Sequence, residues 1–279
     1  MGELQRFDPA SHTWQRHLDG ISADAVDYSR DGNWVAYVRY PEQSMWRCRA
    51  DGKHCLQLAD AGFGAYLPRW SPDNRTIAFQ AQQAGKPWRI WLVDQDGGAL
   101  RLAAPSFPGE QRDAAWTADG KRIIFGSGDW PHLSGQSLRI LDVGSGQVTP
   151  MPDTDGLLSP NISADGTHLA AVRRSERRDE PGLTILDPTS GRWKRACEDI
   201  AMFPTWARDN RSVIYYEGGE IRRFRLDIWK VETIARFDRS QAIGGNFSRE
   251  WVGLDHEGAI LVMRKLDVRQ VYEVESVSK

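Results

Sequence analysis

Short apolar or β-branched stretches recur along the whole chain, and turns rich in Asp, Gly, Asn and Ser separate them. Six of these stretches read WVAYV, TIAFQ, RIIFG, HLAAV, SVIYY and AILVM. Short runs bounded by turn residues are typical of β-strands. No window shows a sustained helical period. The pattern therefore predicts an all-β protein with almost no helix.

A repeated motif precedes each of these strands. The six copies read YSRDG, WSPDN, WTADG, ISADG, WARDN and LDHEG, and their acidic positions 31, 73, 119, 165, 209 and 257 are 42, 46, 46, 44 and 48 residues apart. Third strands such as RIWLVD and SLRILD follow, and then fourth strands such as HCLQLA. This period is typical of four-stranded propeller blades. We predict a six-bladed β-propeller of four-stranded antiparallel blades.

The repeat also predicts the domain organisation. One propeller domain is expected over residues 1–279, with N-terminal strands within 3–19 and blades at about 21–60, 61–105, 106–153, 154–198, 199–239 and 240–279. We expect strands from both chain ends to close the ring, with Thr13 to Leu18 completing the sixth blade and hiding an edge. Leu4 to Asp8 competes with Val271 to Glu275 for the third position of that blade, or lies outside it.

A column of large side chains stands three residues before each acidic position. Its members are Tyr28, Trp70, Trp116 and Trp206, with Ile162 and Leu254 in the same place. Large apolar side chains stabilise a fold when they are buried between packed layers. We expect this column to wedge between neighbouring blades, and lining a ligand site is the alternative for any single member.

Charge and hydropathy restrict the possible partners. Lys and Arg number 36 against 38 Asp and Glu, which gives a formal net charge of -2. No global field then draws the protein to nucleic acid, so we predict no direct nucleic-acid binding. No apolar run approaches the roughly 20 residues of a membrane-spanning helix, and Met1 to Phe7 lacks the apolar stretch of a signal peptide. We expect no membrane insertion by this segment, and its start does not indicate a cellular location.

Two of the three cysteines lie on one predicted hairpin. In MWRCRADGKHCLQL, a two-residue turn at Asp51 and Gly52 would place Cys48 directly opposite Cys55 on the neighbouring strand. A cross-strand disulfide fits that geometry. Two partly buried thiols are the alternative, because distance alone does not decide the redox state.

Motifs that carry chemistry are missing from the chain. It contains no G-x-S-x-G elbow, no H-E-x-x-H and no Walker loop, and its six histidines are scattered singly over different blades. GFGAYL holds only part of a dinucleotide loop, and DQDGG only part of a calcium loop. We predict no catalytic residue, no metal site and no cofactor.

The two ends of the propeller are expected to differ. Turns after the first and third strands of each blade are short and form a short-turn face, whereas connections after the second and fourth strands, such as APSFPGEQRD and RRSERRDEPG, are long and form a long-loop face. Rigid scaffolds display function on variable loops. We therefore predict that a protein or small-molecule ligand binds at the long-loop face.

Polar side chains near the inner strands are the candidate site at that face. They are Asp27, Tyr66, Arg69, Arg112, Asp113 and Asn161, which we place at the mouth of the central channel. Arg69 and Arg112 are candidates for holding an anion. An ordinary polar lining of a water-filled channel is the alternative.

WSPDNRTIAF followed by PWRIWLVDQDGG resembles the repeat of TolB-type six-bladed β-propellers, and the resemblance extends from Ala25 to Val274. The stretch GISADAVDYSRDGNWVAYVRYPEQSMWRCRADG is similar to the propeller that bacterial winged-helix transcriptional regulators and some serine/threonine kinases carry after a membrane segment. The resemblance implies a sensor or protein-interaction module of a larger bacterial signalling protein. It favours a periplasmic location.

Two other functions stay open at this point. TolB-like propellers also resemble the gating domains of prolyl-oligopeptidase-type hydrolases and the bodies of some polysaccharide lyases, which would make the chain part of an enzyme. A free-standing TolB-like periplasmic adaptor is the second of these alternatives. Because the chain offers no catalytic constellation, we predict a non-catalytic binding scaffold.

Overall fold

The computed structural model describes residues 2–129, 135–174, 181–199, 201, 203–238 and 251–266. In chain order, the strands of this part are β1 (Gly2–Asp8), β2 (Thr13–Arg16), β3 (Ala23–Tyr28), β4 (Trp34–Arg39), β5 (Ser44–Arg49), β6 (Leu56–Ala59), β7 (Ala65–Trp70), β8 (Thr76–Ala81), β9 (Arg89–Asp94), β10 (Arg101–Leu102), β11 (Arg112–Trp116), β12 (Arg122–Ser127), β13 (Ser137–Asp142), β14 (Val148–Pro150), β15 (Leu157–Ile162), β16 (Leu169–Arg173), β17 (Gly182–Leu186), β18 (Trp193–Arg195), β19 (Thr205–Trp206), β20 (Ser212–Glu217), β21 (Glu220–Arg225), β22 (Lys230–Arg236), β23 (Val252–Leu254) and β24 (Ile260–Lys265). Single 3₁₀ turns occur at Leu18–Gly20 and Ala61–Phe63.

These strands form six antiparallel sheets of four, and each sheet is one blade. Five blades use four consecutive strands, from β3–β6 in the first to β19–β22 in the fifth. The inner strands β3, β7, β11, β15, β19 and β23 contact one another in that order, and β23 contacts β3. The predicted six-bladed all-β propeller is confirmed. The proposed blade boundaries and single-domain extent stay predictions.

The sixth blade combines both ends of the chain. Its strand order is β2-β1-β24-β23, with Gly2 opposite Lys265 and Arg6 opposite Leu261. The N-terminal segment thus supplies the third and outermost strands. Of the two candidates for the third position, the structure places the segment from Leu4 to Asp8 there, and Val271 to Glu275 lies outside the described residues.

Apolar side chains fill the spaces between consecutive blades. One cluster joins Ala36 and Met45 of the first blade to Ile77 and Phe79 of the second. Similar clusters occupy the next four interfaces around the ring. Alternate residues of a strand point to opposite faces of its sheet, so a blade packed on both faces needs apolar residues at nearly every position. This requirement explains the continuous apolar runs of the second strands.

The repeated motif forms the turn between the first and second strands, and each of these turns contacts the turn of the preceding blade. Asn74 Oδ1 accepts a hydrogen bond from the backbone N–H of Arg30 at 2.7 Å, and Asn210 Oδ1 accepts one from Ala164 at 3.0 Å. Both asparagines adopt positive φ, as the sequence predicted for this position. Where glycine stands instead, as at Gly166, a Cβ would lie 2.7 Å from the preceding turn. The turns therefore link the blades.

Candidate functional site

The tryptophans of the aromatic column bridge neighbouring blades. Each indole N–H donates a hydrogen bond to a backbone carbonyl of the preceding blade, in the pairs Trp70–Asp27 (3.1 Å), Trp116–Arg69 (3.1 Å) and Trp206–Asn161 (2.8 Å). In each pair the acceptor is the residue just before the column of its own blade. The wedge therefore fixes the backbone at the positions that surround the channel.

A cavity of about 430 Å³ lies on the ring axis. Its wall takes the residue before the column from every blade, namely Asp27, Arg69, Ala115, Asn161, Thr205 and Gly253. Its mouth takes the second residue after the column, namely Arg30, Pro72, Ala118, Ala164, Arg208 and His256. These mouth residues belong to the turns between first and second strands. The cavity thus opens on the short-turn face, whereas the sequence pattern placed the candidate mouth on the long-loop face.

Arginine dominates the charge around this cavity. Three arginines and one histidine line it, against the two acids Asp27 and Asp255. Asp255 is engaged, because its carboxylate accepts a hydrogen bond from Arg6 Nε at 2.5 Å and is only 4% exposed. Asp27 is therefore the acidic residue of the cavity wall that is not paired with Arg6, and it lies beside Arg69 of the next blade.

Asp27 is held by the neighbouring blade. Its Oδ2 atom accepts a hydrogen bond from the backbone N–H of Trp70 at 2.7 Å. Burial raises the pKa of Asp27 to about 6, although the Arg69 charge and this hydrogen bond act in the opposite direction. The carboxyl group is therefore mostly ionised at neutral pH and takes up a proton in mildly acidic solution.

One side chain crosses the cavity mouth. Arg30 Nη2 donates a hydrogen bond to the carbonyl oxygen of Ala164 at 2.7 Å, from the first blade to the fourth. These blades stand opposite each other in a ring of six. The contact is solvent-exposed, so a ligand entering the cavity can displace it at small cost.

The first strands bend three residues before the column. Five residues there have φ between 47° and 69°, namely Ala25, Leu67, Asp113, Ser159 and Phe203. In four blades the pairing register with the second strand shifts at this point, as at a β-bulge. The left-handed conformation costs non-glycine residues about 1–2 kcal/mol each. Its recurrence makes the bend a property of the repeat.

Side chains at these bends fill the axis toward the long-loop face, and we call them the axial plug. Ala25, Leu67, Phe203 and Trp251, from four different blades, belong to one buried cluster. The Phe203 ring packs edge-on against Tyr66 at 5.8 Å between centroids, which joins two opposite blades. A crevice beside the plug measures about 10 Å³, room for about one water molecule. The channel is filled at this end.

The structure divides the six predicted site residues between the two ends. Asp27, Arg69 and Asn161 line the cavity. Tyr66 is fully buried in the cluster of the plug. Asp113 accepts a hydrogen bond from Ser159 at 2.8 Å, and burial raises the pKa of its carboxyl group. Arg112 Nη2 pairs with Glu110 at 2.6 Å. Three of the six predicted residues therefore line the cavity and three do not, and Arg69 is the predicted anion-holding residue that faces the cavity.

Sequence reasoning missed the arginines of the mouth. Arg30 and Arg208 occupy the same place in YSRDG and WARDN, two residues after the column. Aligning the six repeats at this offset would have found them. These turns are short and uniform, and loop length alone favours function at the other face.

Cys48 and Cys55 lie where the hairpin register places them. Arg47 pairs with Leu56 across β5 and β6, which brings the two cysteines opposite each other, and a disulfide joins them in the structure. Cys197 is a free thiol, and burial raises its pKa. Among the described residues, no group of three or more His, Cys, Asp or Glu side chains is arranged to hold a metal ion. No helix of that part has the length and apolarity to cross a bilayer.

Comparison with models of known protein families gives no match. An uncharacterized peptidase of Bacillus subtilis (strain 168), YuxL, is 24% identical over 112 residues, which cover 37% of this chain and 17% of that protein. The matched stretch is thus a small part of that relative's length.

Solved structures resemble three quarters or more of this chain. A putative TolB from Agrobacterium tumefaciens superposes with a TM-score of 0.69 at 17% identity, over 96% of this chain and 99% of that one. TolB from Acinetobacter baumannii gives 0.63 at 19% identity, over 82% and 62%. An oligogalacturonate lyase in complex with manganese gives 0.53 at 14% identity, over 76% and 67%. The chain therefore has the fold of a TolB-like six-bladed β-propeller, a fold that it shares with TolB proteins and with a lyase.

Proposed function

We propose that this chain is a non-catalytic binding module and that its ligand enters the cavity of the short-turn face. The observation that carries the proposal is a cavity of about 430 Å³ whose wall takes one residue from each of the six blades. This volume lies within the range of small-molecule pockets, about 300–1,000 Å³. Inter-blade hydrogen bonds of the tryptophans hold the wall, so the site is formed before a ligand arrives.

The module would report ligand binding to other parts of a larger bacterial signalling protein. The resemblance to the propellers of membrane-anchored regulators supports this role. A location outside the cytoplasm is part of the proposal, because the Cys48–Cys55 disulfide is typical of oxidising compartments. The long loops of the other face are the proposed contact for a protein partner.

Two matched variants test the location of the ligand. Ala164→Trp places a large ring at the cavity mouth, and Ala84→Trp places the same ring in a loop of the long-loop face. Both alanines are exposed. The chain is screened by thermal denaturation against a library of amino acids, sugars, dicarboxylates, nucleotides and short peptides. We expect compounds that raise the melting temperature to lose that effect in Ala164→Trp and to keep it in Ala84→Trp.

The opposite pattern of sensitivity would overturn the cavity assignment. Mass spectrometry of each stabilising compound after incubation tests the non-catalytic part of the proposal. We expect the compound to be recovered unchanged. Its conversion into a product, blocked by Ala164→Trp, would make the chain an enzyme.

A further inference from the structure

The cavity presents two opposite charges that are close but not paired. Asp27 and Arg69 both line it, from neighbouring blades. Among the described residues they form no ion pair within 4.0 Å. A ligand with neighbouring positive and negative groups would complement both. Resting on the function proposed above, we propose that the cavity binds a small zwitterion, an α-amino acid with a bulky apolar side chain.

Each charged group is tied to its own anchor, and the anchors keep the charges apart. The backbone N–H of Trp70 holds Asp27 Oδ2 at 2.7 Å. The Pro68 carbonyl oxygen accepts a hydrogen bond from Arg69 Nη1 at 3.0 Å. A group held in place before binding loses less conformational freedom when the ligand arrives. The separation of the two charges is therefore a built feature of the cavity wall.

The remaining walls suit an apolar side chain. Ala115 and Gly253 come from opposite blades and leave the cavity wide between them. Rings of the aromatic column, including Trp116 and Trp206, also line it. Asn161, from the blade opposite that of Asp27, contributes an amide group to the cavity wall. The cavity thus combines a charged side, an amide side and apolar surface, as an amino acid with a large side chain requires.

Three probes separate the charges of the ligand. They are L-phenylalanine, which carries both charges, phenethylamine, which carries only the positive one, and N-acetyl-L-phenylalanine, which carries only the negative one. Binding to the full chain is measured by isothermal titration calorimetry at neutral pH. We expect L-phenylalanine to bind at least about ten-fold more tightly than either analogue, because each analogue leaves one half-buried charge of the cavity wall without a partner.

Charge-neutral variants assign each group. Asp27→Asn should weaken the binding of L-phenylalanine at least about ten-fold and leave the binding of N-acetyl-L-phenylalanine unchanged. Arg69→Gln should weaken the binding of L-phenylalanine by the same factor and leave the binding of phenethylamine unchanged. Asp51→Asn and Arg75→Gln, on exposed turns outside the cavity, are the matched controls and should change nothing. The comparison of the three probes on the unaltered chain needs no variant to fold.

Three results would overturn the proposal. Equal affinity for L-phenylalanine and N-acetyl-L-phenylalanine would make the cavity an anion site. Equal loss of L-phenylalanine binding in the control variants would place the site elsewhere. If none of the three probes binds, but a library compound stabilises the unaltered chain and not Ala164→Trp, the zwitterion proposal is refuted and the proposed binding module stands. If no compound responds to Ala164→Trp, the proposed function itself fails.

Discussion

The two ends of the channel are built from the same six inner strands, yet one is open and the other is closed. At the short-turn end, the residue before the column is polar or small in every blade, Arg69 has the longest side chain of the six, and a cavity remains. At the long-loop end, only a few residues earlier in the chain, Leu67, Phe203 and Trp251 belong to one buried cluster. The difference lies in side-chain volume at two offsets of one repeat.

Loop length and empty volume are therefore found at opposite ends of this ring. The long connections within the described residues, such as 103–111, leave their strands at the closed end, whereas the short and uniform turns surround the cavity. Variable loops often carry function, but a pocket also needs empty volume beneath it. In a close-packed interior, that volume exists only where side chains are too small to meet.

Removing the plug side chain that reaches the opposite blade should have the largest effect. Phe203 is 5% exposed and reaches the opposite blade. We expect Phe203→Ala to lower the free energy of unfolding by about 3–5 kcal/mol, measured by urea denaturation. Ile228→Ala, at a side chain 50% exposed, is the control and should stay within about 0.5 kcal/mol. A loss below about 1 kcal/mol at Phe203 would show that the plug contributes little to stability.

The closed end also contains a costly carboxyl group. Asp24 is 3% exposed, its Oδ1 atom lacks a hydrogen-bond partner within the described part of the chain, and burial raises its pKa to about 7. The folded state therefore binds more protons than the unfolded state between about pH 4 and 7, and this group lowers stability as the pH rises through that window.

Asp24→Asn removes that cost. We expect the variant to exceed the wild type by on the order of 2 kcal/mol near pH 8, with the difference shrinking toward pH 4. Urea denaturation at several pH values measures the difference. A difference that stays constant with pH would show that the native carboxyl group titrates normally.

At the open end, stability depends on the turns. Asn210 both accepts a hydrogen bond from Ala164 and adopts a positive φ of 54°. We expect Asn210→Ala to cost about 1–2 kcal/mol, because it adds left-handed strain to the lost bond. Asn210→Gly should cost about 0.5 kcal/mol, because it loses only the bond. Equal losses in thermal or urea unfolding would indicate that backbone strain is unimportant there.

The smallest contrast tests the bend itself. Ala25 is left-handed and Ala36 lies in a regular strand, and both are fully buried. Glycine at position 25 relieves the backbone strain of the folded state. Glycine at position 36 relieves no strain and increases the conformational entropy of the unfolded chain. We expect Ala36→Gly to be about 1 kcal/mol more destabilising than Ala25→Gly in urea denaturation. The reverse order would mean that the bend does not strain its residues.

Local patterns were sufficient to predict most of the fold. The repeat predicted the blades, the aromatic column predicted inter-blade packing at Trp70 and Trp206, and the motif predicted the positive φ of Asn74 and Asn210. Half of the candidate site also follows from the repeat, because Asp27, Arg69 and Asn161 share one offset. Whether Leu4 to Asp8 or Val271 to Glu275 takes the third position of the sixth blade could not be predicted, since the pairing of β1 with β24 joins residues far apart in the chain.

The sequence by itself determined that this protein has six blades, where each turn falls and which positions face the axis, because these properties repeat within every blade. Only the tertiary structure decided which end of the channel is open. That outcome depends on whether side chains from opposite blades, such as Phe203 and Tyr66, are large enough to touch. Contacts across the ring depend on the sum of volumes from several blades, and no single repeat contains that sum.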